Sequence, residues 1–155
     1  MKPRLALEWE DDGSAHHDVV LHAGTYSHRC DSYYFALDRG IRPDDESPSK
    51  VAEVIGSLLR HWRQTLEHLD EHGVAFLPFD FSDQCTAWLR VTRTGQVLRI
   101  QPGWSNIEGH SFFPSAPGDT VPNDFAPIQT APELEISLPD CLDAVLQSAQ
   151  GLKTR

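Results

Sequence analysis

Apolar and polar residues alternate on both sides of Thr94-Gly95 through residues 85–101, the pattern of a β-hairpin with one face turned to a core. With those two residues as the turn, Val91 faces Leu98 and Leu89 faces Ile100, so aliphatic pairs share one side. The same register sets Trp88 opposite Gln101 and Arg90 opposite Arg99 on the other side, a like-charge pair that repels unless something anionic covers it. Alternation also predicts strands over 4–10, led by Leu5, Leu7 and Trp9, and over 18–26, led by Val19, Leu21 and Ala23, the two pairing as a meander. Aromatic density makes 32–38 a third strand. Residues 74–81 are a further one, with Leu77, Phe79 and Phe81 opposite Phe76 and Asp80, and with Pro78 marking an edge or a bulge. Short strands are expected at 111–113 and 133–137.

After Ser47-Pro48, a cap followed by a proline suited to the first helical position, the spacing changes to three and four. Val51, Val54, Ile55, Leu58, Leu59, Trp62, Leu66 and Leu69 form one stripe of a helix over about 48–72, which Gly73 would end in a left-handed conformation. Leu142, Val145 and Leu146 mark a second helix over about 139–150. Between them, 114–132 is punctuated by Pro117, Pro122 and Pro127 and reads as irregular, either functional or draped over the surface. The expected fold is α+β, one domain over 1–155, with a mainly antiparallel sheet of about five to seven strands packed on the long helix.

Charge narrows the function. Acidic residues number 23 against 13 basic, a formal net charge of −10, which disfavours phosphate backbones and anionic membranes and favours a basic protein as partner. Protonating the eight histidines would erase most of that surplus. Cys30, Cys85 and Cys141 are widely spaced with no CxxC, as suits a reducing cytoplasm, and no stretch has the apolar length of a leader or a membrane span. No P-loop, dinucleotide fingerprint, GxSxG elbow or HExxH is present, so no cofactor and no catalytic residue is assigned.

Three groups of residues remain as candidates. The outer hairpin face, with Trp88, Arg90 and Arg99, offers a stacking plane and bidentate donors to an acidic group, unless Glu8, Glu10 or Asp80 on neighbouring strands neutralises it. Two acidic clusters, Glu8, Glu10, Asp11 and Asp12, and Asp44, Asp45 and Glu46, suit docking on a basic protein, or else a solvated turn and a helix start where acid is expected anyway. Trp104, Glu108 and His110 could line a small-molecule pocket with an acid and a base. His16, His17, His22, His28 and Cys30 are the densest group of potential metal ligands, and His68 and His72 stand four apart, but neither spacing matches a metal motif and no metal site is assigned.

The leading expectation is a small cytoplasmic protein-interaction module. In size, acidity and aromatic content the chain resembles bacterial immunity proteins that block secreted toxins, a likeness that carries no motif and no functional residue across. An enzyme or small-molecule-binding domain, and a self-associating structural subunit, are the alternatives.

Overall fold

Two antiparallel sheets and two long helices share one core in the computed structural model, which describes residues 3–42 and 45–153. The first sheet is a meander of β1 (Leu5–Trp9), β2 (Val19–Ala23) and β3 (Tyr26–Cys30). The strand expected over 18–26 is present as β2 and pairs with β1 as expected, but it ends at Ala23, because Gly24 takes a φ of +63° and turns the chain back into β3. The third strand lies before 32–38 rather than in it: Tyr33–Ala36 is a one-turn helix, α1, begun at Ser32, whose carbonyl accepts from the amides of Phe35 and Ala36.

The long helix α2 (Pro48–Glu67) starts where expected, with Ser47 Oγ accepting from Lys50 N at 3.2 Å. Its stripe from Val51 to Leu66 is buried. It stops five residues short of 72. His72, not Gly73, adopts the left-handed conformation (φ +65°), and Gly73 serves a close approach, since a Cβ there would lie 2.8 Å from the Asp70 carbonyl. His68 and His72 consequently do not share a helical face. The last helix, α3 (Leu138–Lys153), follows Ser137, whose hydroxyl accepts from Asp140 N at 3.1 Å.

The second sheet comprises β4 (Val74–Phe81), β5 (Thr86–Thr94), β6 (Val97–Ser105), β7 (Ala126–Pro127) and β8 (Leu134–Ser137), the last pairing with β6. The expected strand at 111–113 is reduced to an isolated bridge between Phe113 and Ala116. Gly95, with a φ of +61°, is the first central residue of the β5–β6 turn, so the hairpin turns on Gly95-Gln96 and pairs Val91 with Ile100 and Leu89 with Pro102. The register differs by two from the expected one. A shift of two leaves every side chain on its own face, and Leu89, Val91, Leu98 and Ile100 are all fully buried in the common core. Arg90 now faces Gln101, and Arg99 faces Thr92, so the like-charge pair is absent.

Pro78 marks a bulge, as expected at an edge strand. Beyond it the pairing becomes Asp80 with Ala87 and Phe81 with Thr86, which moves Phe81 to the face that carries Trp88 and brings Asp80 to the face of Ala87 and Trp104. This corrects the expected grouping of Phe81 with Leu77. The irregular 106–132 segment then covers the outer face: Phe112 stacks on Trp88 (5.7 Å) and meets Phe81 (5.5 Å). Gln101 holds the same segment through its Nε2, which donates to the carbonyls of Ala131 (3.1 Å) and Ile128 (3.5 Å).

Candidate functional site

That third layer closes the hairpin face on which a partner was expected. Trp88 is fully buried, and its indole N–H donates to Thr86 Oγ1 at 2.7 Å, so it is no surface stacking plane. The guanidinium of Arg90 lies 4.8 Å above the Phe125 ring, a cation–π contact within the protein. Arg99 stays outside and is met by Glu133 (3.9 Å) and Glu135 (4.0 Å), not by Glu8, Glu10 or Asp80. The alternation of the sequence placed these side chains on the correct face. What it could not show is that 106–132 folds back over that face.

The first acidic cluster occupies the turn between β1 and β2. Asp11 accepts from Gly13 N (3.2 Å), and Asp12 accepts from Ser14 N (2.9 Å) and Ser14 Oγ (2.6 Å), which holds the Asp12 carboxyl below its ordinary range. Glu10 is bound by Arg29 at 2.8 Å, and the guanidinium also donates to His17 O. His17 N donates to Asp31 Oδ1 at 2.8 Å. Ala15 and His17 have φ values of +61° and +53°, so the turn is ordered in a conformation that side chains disfavour.

In the second cluster Asp44 lies outside the described residues. Asp45 accepts from Ser47 N at 3.1 Å and is held below its ordinary pKa by its hydrogen bonds with Ser47, while Glu46 takes a φ of +55° at the start of α2. Glu8 is met by Arg4 (2.8 Å) and His22 (3.6 Å). Among the described residues Asp11, Asp12, Asp45 and Glu46 have no ion pair, and all four are exposed.

The residues of the alternative pocket part company. Glu108 and His110 pair with each other at 2.8 Å on an exposed loop, and that loop is anchored by Gly109, whose N–H donates to Ser82 O at 2.6 Å. Trp104 instead meets His28 (5.4 Å), a residue the sequence grouped with metal ligands. His28 Nε2 donates to Asp80 Oδ2 at 2.7 Å. In the neutral ring its Nδ1 then accepts from the Tyr26 hydroxyl at 3.3 Å. Burial, and the Asp80 charge after it, raise the pKa of Tyr26. An imidazole oriented by a carboxylate is the geometry of a general base. Here both ring nitrogens are engaged, and the chain Tyr26–His28–Asp80 ties β3 to β4 across the two sheets. The signal that could have found it is the bulge at Pro78, which decides where Asp80 points.

The other histidines disperse: His16 lies 3.4 Å from Asp31, and His22 meets Ser27 and Glu8. Among the described residues no three His, Cys, Asp or Glu side chains gather as a metal site. Two surface cavities, of about 510 and 480 Å³, are lined by other residues than Trp104, Glu108 and His110. No described helix is long and apolar enough to cross a membrane. Comparison with known proteins adds no relative: no protein family, no curated protein and no solved structure matches the chain.

Proposed function

We propose that the chain is a protein-interaction module that covers a basic site on another protein, in the manner of an immunity-type inhibitor. The observation that carries this reading is the direction in which its charges are turned. Lys50 is fully buried and donates to Ile41 O (2.7 Å), while Arg93 donates to Leu69 O (2.6 Å) and Gly95 O (2.8 Å). Arg90 covers Phe125, and Arg29 and Arg99 are held by glutamates. These five cations serve the protein's own carbonyls, rings and carboxylates, whereas among the described residues Asp11, Asp12, Asp45 and Glu46 are exposed without an ion pair, as is one cation, Arg60. A surface of that sign speeds encounter with a basic partner and rejects acidic ones. The free thiols of Cys30, Cys85 and Cys141 fit a reducing compartment such as the cytoplasm.

The test is affinity capture from native lysate with the wild-type chain beside a variant carrying Asp11→Asn, Asp12→Asn and Asp45→Asn. A basic protein retained by the first and lost from the second, with an association rate that falls as salt rises, supports the reading. Equal retention by both, or saturable metabolite binding with no protein partner, refutes it. Metabolite binding has one structural argument of its own, the partly exposed Trp104 beside His28, and would quench the fluorescence of that indole.

A further inference from the structure

The smaller surface cavity, about 480 Å³, is a groove where β4 meets the end of α2 and the turn at 118–121. β4 is an edge strand, paired with β5 alone. Two hydrogen bonds show which of its backbone groups the ladder uses. Arg93 N donates to Gly73 O at 3.1 Å, so residues 73, 75 and 77 face β5, and Trp62 Nε1 reaches Pro78 O at 3.0 Å from outside the sheet. Alternation along an antiparallel pair therefore turns the N–H and C=O groups of Val74 and Phe76 to the free edge, in the groove they line. None of these backbone groups has a hydrogen-bond partner among the described residues. At the next outward position Pro78 has no N–H and its carbonyl is taken, so the open edge runs over 74–76.

Unpaired peptide groups on a strand edge are matched by another extended backbone, added as a further strand. Val74 and Val121, 54% and 50% exposed, offer the side chains of such a segment an apolar contact in the same groove. Asp70 and Asp119 also line it; both are exposed, neither has an ion pair among the described residues, and no Lys or Arg lines it with them. Arg93, whose guanidinium reaches Leu69 at one end, is bound to the carbonyls of Leu69 (2.6 Å) and Gly95 (2.8 Å). A second copy of the chain paired on this edge would bring its own Asp70 and Asp119 against these, like charge on like. We propose that β4 takes up a short extended segment of a basic partner, as an added strand over 74–76 whose cations meet Asp70 and Asp119. The partner's charge rests on the interaction reading above, whereas the unpaired edge stands independently of it.

The experiment titrates isotope-labelled protein with acetyl-Lys-Val-Thr-Val-Lys-amide at low salt and pH 8, above the ordinary imidazole range. Beside it run the same peptide methylated on its three central nitrogens, which removes those donors, and one with glutamine for lysine. Saturable amide shifts at 61–76 and 118–121 are expected, with the Val74 and Phe76 amide protons moving downfield and exchanging more slowly, and no saturable shift with the methylated peptide. Asp70→Asn with Asp119→Asn should weaken binding about fivefold, the effect of losing two exposed charge contacts. Asp11→Asn with Asp12→Asn should leave the affinity within about twofold, because screening weakens charges at a distance. Equal binding of the methylated peptide would overturn the added strand, and equal binding of the glutamine peptide would overturn the basic occupant. Shifts at 74–76 that grow with protein concentration before any peptide is added would put a second copy on the edge instead. Shifts confined to 10–18, or no saturable shift with millimolar peptide, would overturn the edge as the docking site, and the capture experiment then decides the broader reading by itself.

Discussion

Asp18 is where the first sheet, the acidic turn and α1 converge, and the effect of removing it can be worked out. Its carboxylate is 2% exposed and accepts three hydrogen bonds, from Trp9 Nε1 (3.1 Å), Ser32 N (2.9 Å) and Ser32 Oγ (2.6 Å), with no ion pair among the described residues. Hydrogen bonds to a charged acceptor contribute about 1.5–3 kcal/mol each, and removing that acceptor strands three buried donors. Because neighbours in one network do not add fully, Asp18→Ala should destabilise by about 4–6 kcal/mol, a large share of the 5–15 kcal/mol that typically holds a domain together. At about 2–4 °C per kcal/mol for a chain of this length, Tm should fall by roughly 10–20 °C. Asp18→Asn keeps one acceptor and should fall between the two. Urea unfolding followed by tryptophan fluorescence measures it, with an unchanged slope expected because the surface exposed on unfolding is the same. A loss below about 1.5 kcal/mol for Asp18→Ala, or a double variant with Ser32→Ala that is simply additive, would refute the network.

Other substitutions separate structure from surface. Gly109→Ala places a Cβ 2.5 Å from the backbone N and O of Ser82, so it should destabilise by about 2 kcal/mol or more and loosen the exchange protection of 106–113. Arg99→Ala removes two long, exposed ion pairs and should change stability by less than about 0.5 kcal/mol in the same denaturation assay. Burial pushes the Cys141 thiol to about 12 and the Cys30 thiol well above its ordinary value, so iodoacetamide at pH 8 should label the half-buried Cys85 alone, as mass spectrometry would show. The raised Cys141 thiol contributes its stability fully below its ordinary value of 9.0, and that contribution should be lost as pH rises from there toward the folded value of about 12. Burial lowers the pKa of His61 from 6.5, so its contribution should be present above pH 6.5 and lost as pH falls through the folded value, a loss that His61→Gln would abolish.

Most elements were legible because their periodicity is local. The stripe from Val51 to Leu66, the alternation of Leu5, Leu7 and Trp9, and the run 74–81 each fall in the element their spacing implies. Tyr33 to Phe35 misled because three aromatics in a row suit a strand, and nothing in their own spacing reveals that the Ser32 carbonyl starts a helical turn. The hairpin register could not be read from hydrophobicity at all. Registers two residues apart bury the same side chains, and only the φ of Gly95 separates them.

The site was harder to read than the fold for a related reason. A polar face on a strand says that something other than the main core lies against it, and this can be water, a partner or the chain itself. Between Trp88 and Gln101 the answer is the chain itself, through Phe112, Phe125 and the carbonyls of Ile128 and Ala131. A collision of Phe125 with any Cβ at position 103 shows how closely that cover fits, and so why glycine stands there. The edge of β1 is covered differently, by α3, whose Ser148 accepts from Leu7 N, and Leu5, Leu7 and Trp9 are buried there. The same chain thus covers Trp88 and Arg90, the part of the hairpin face that most resembled a binding surface, and leaves Arg99 outside between Glu133 and Glu135.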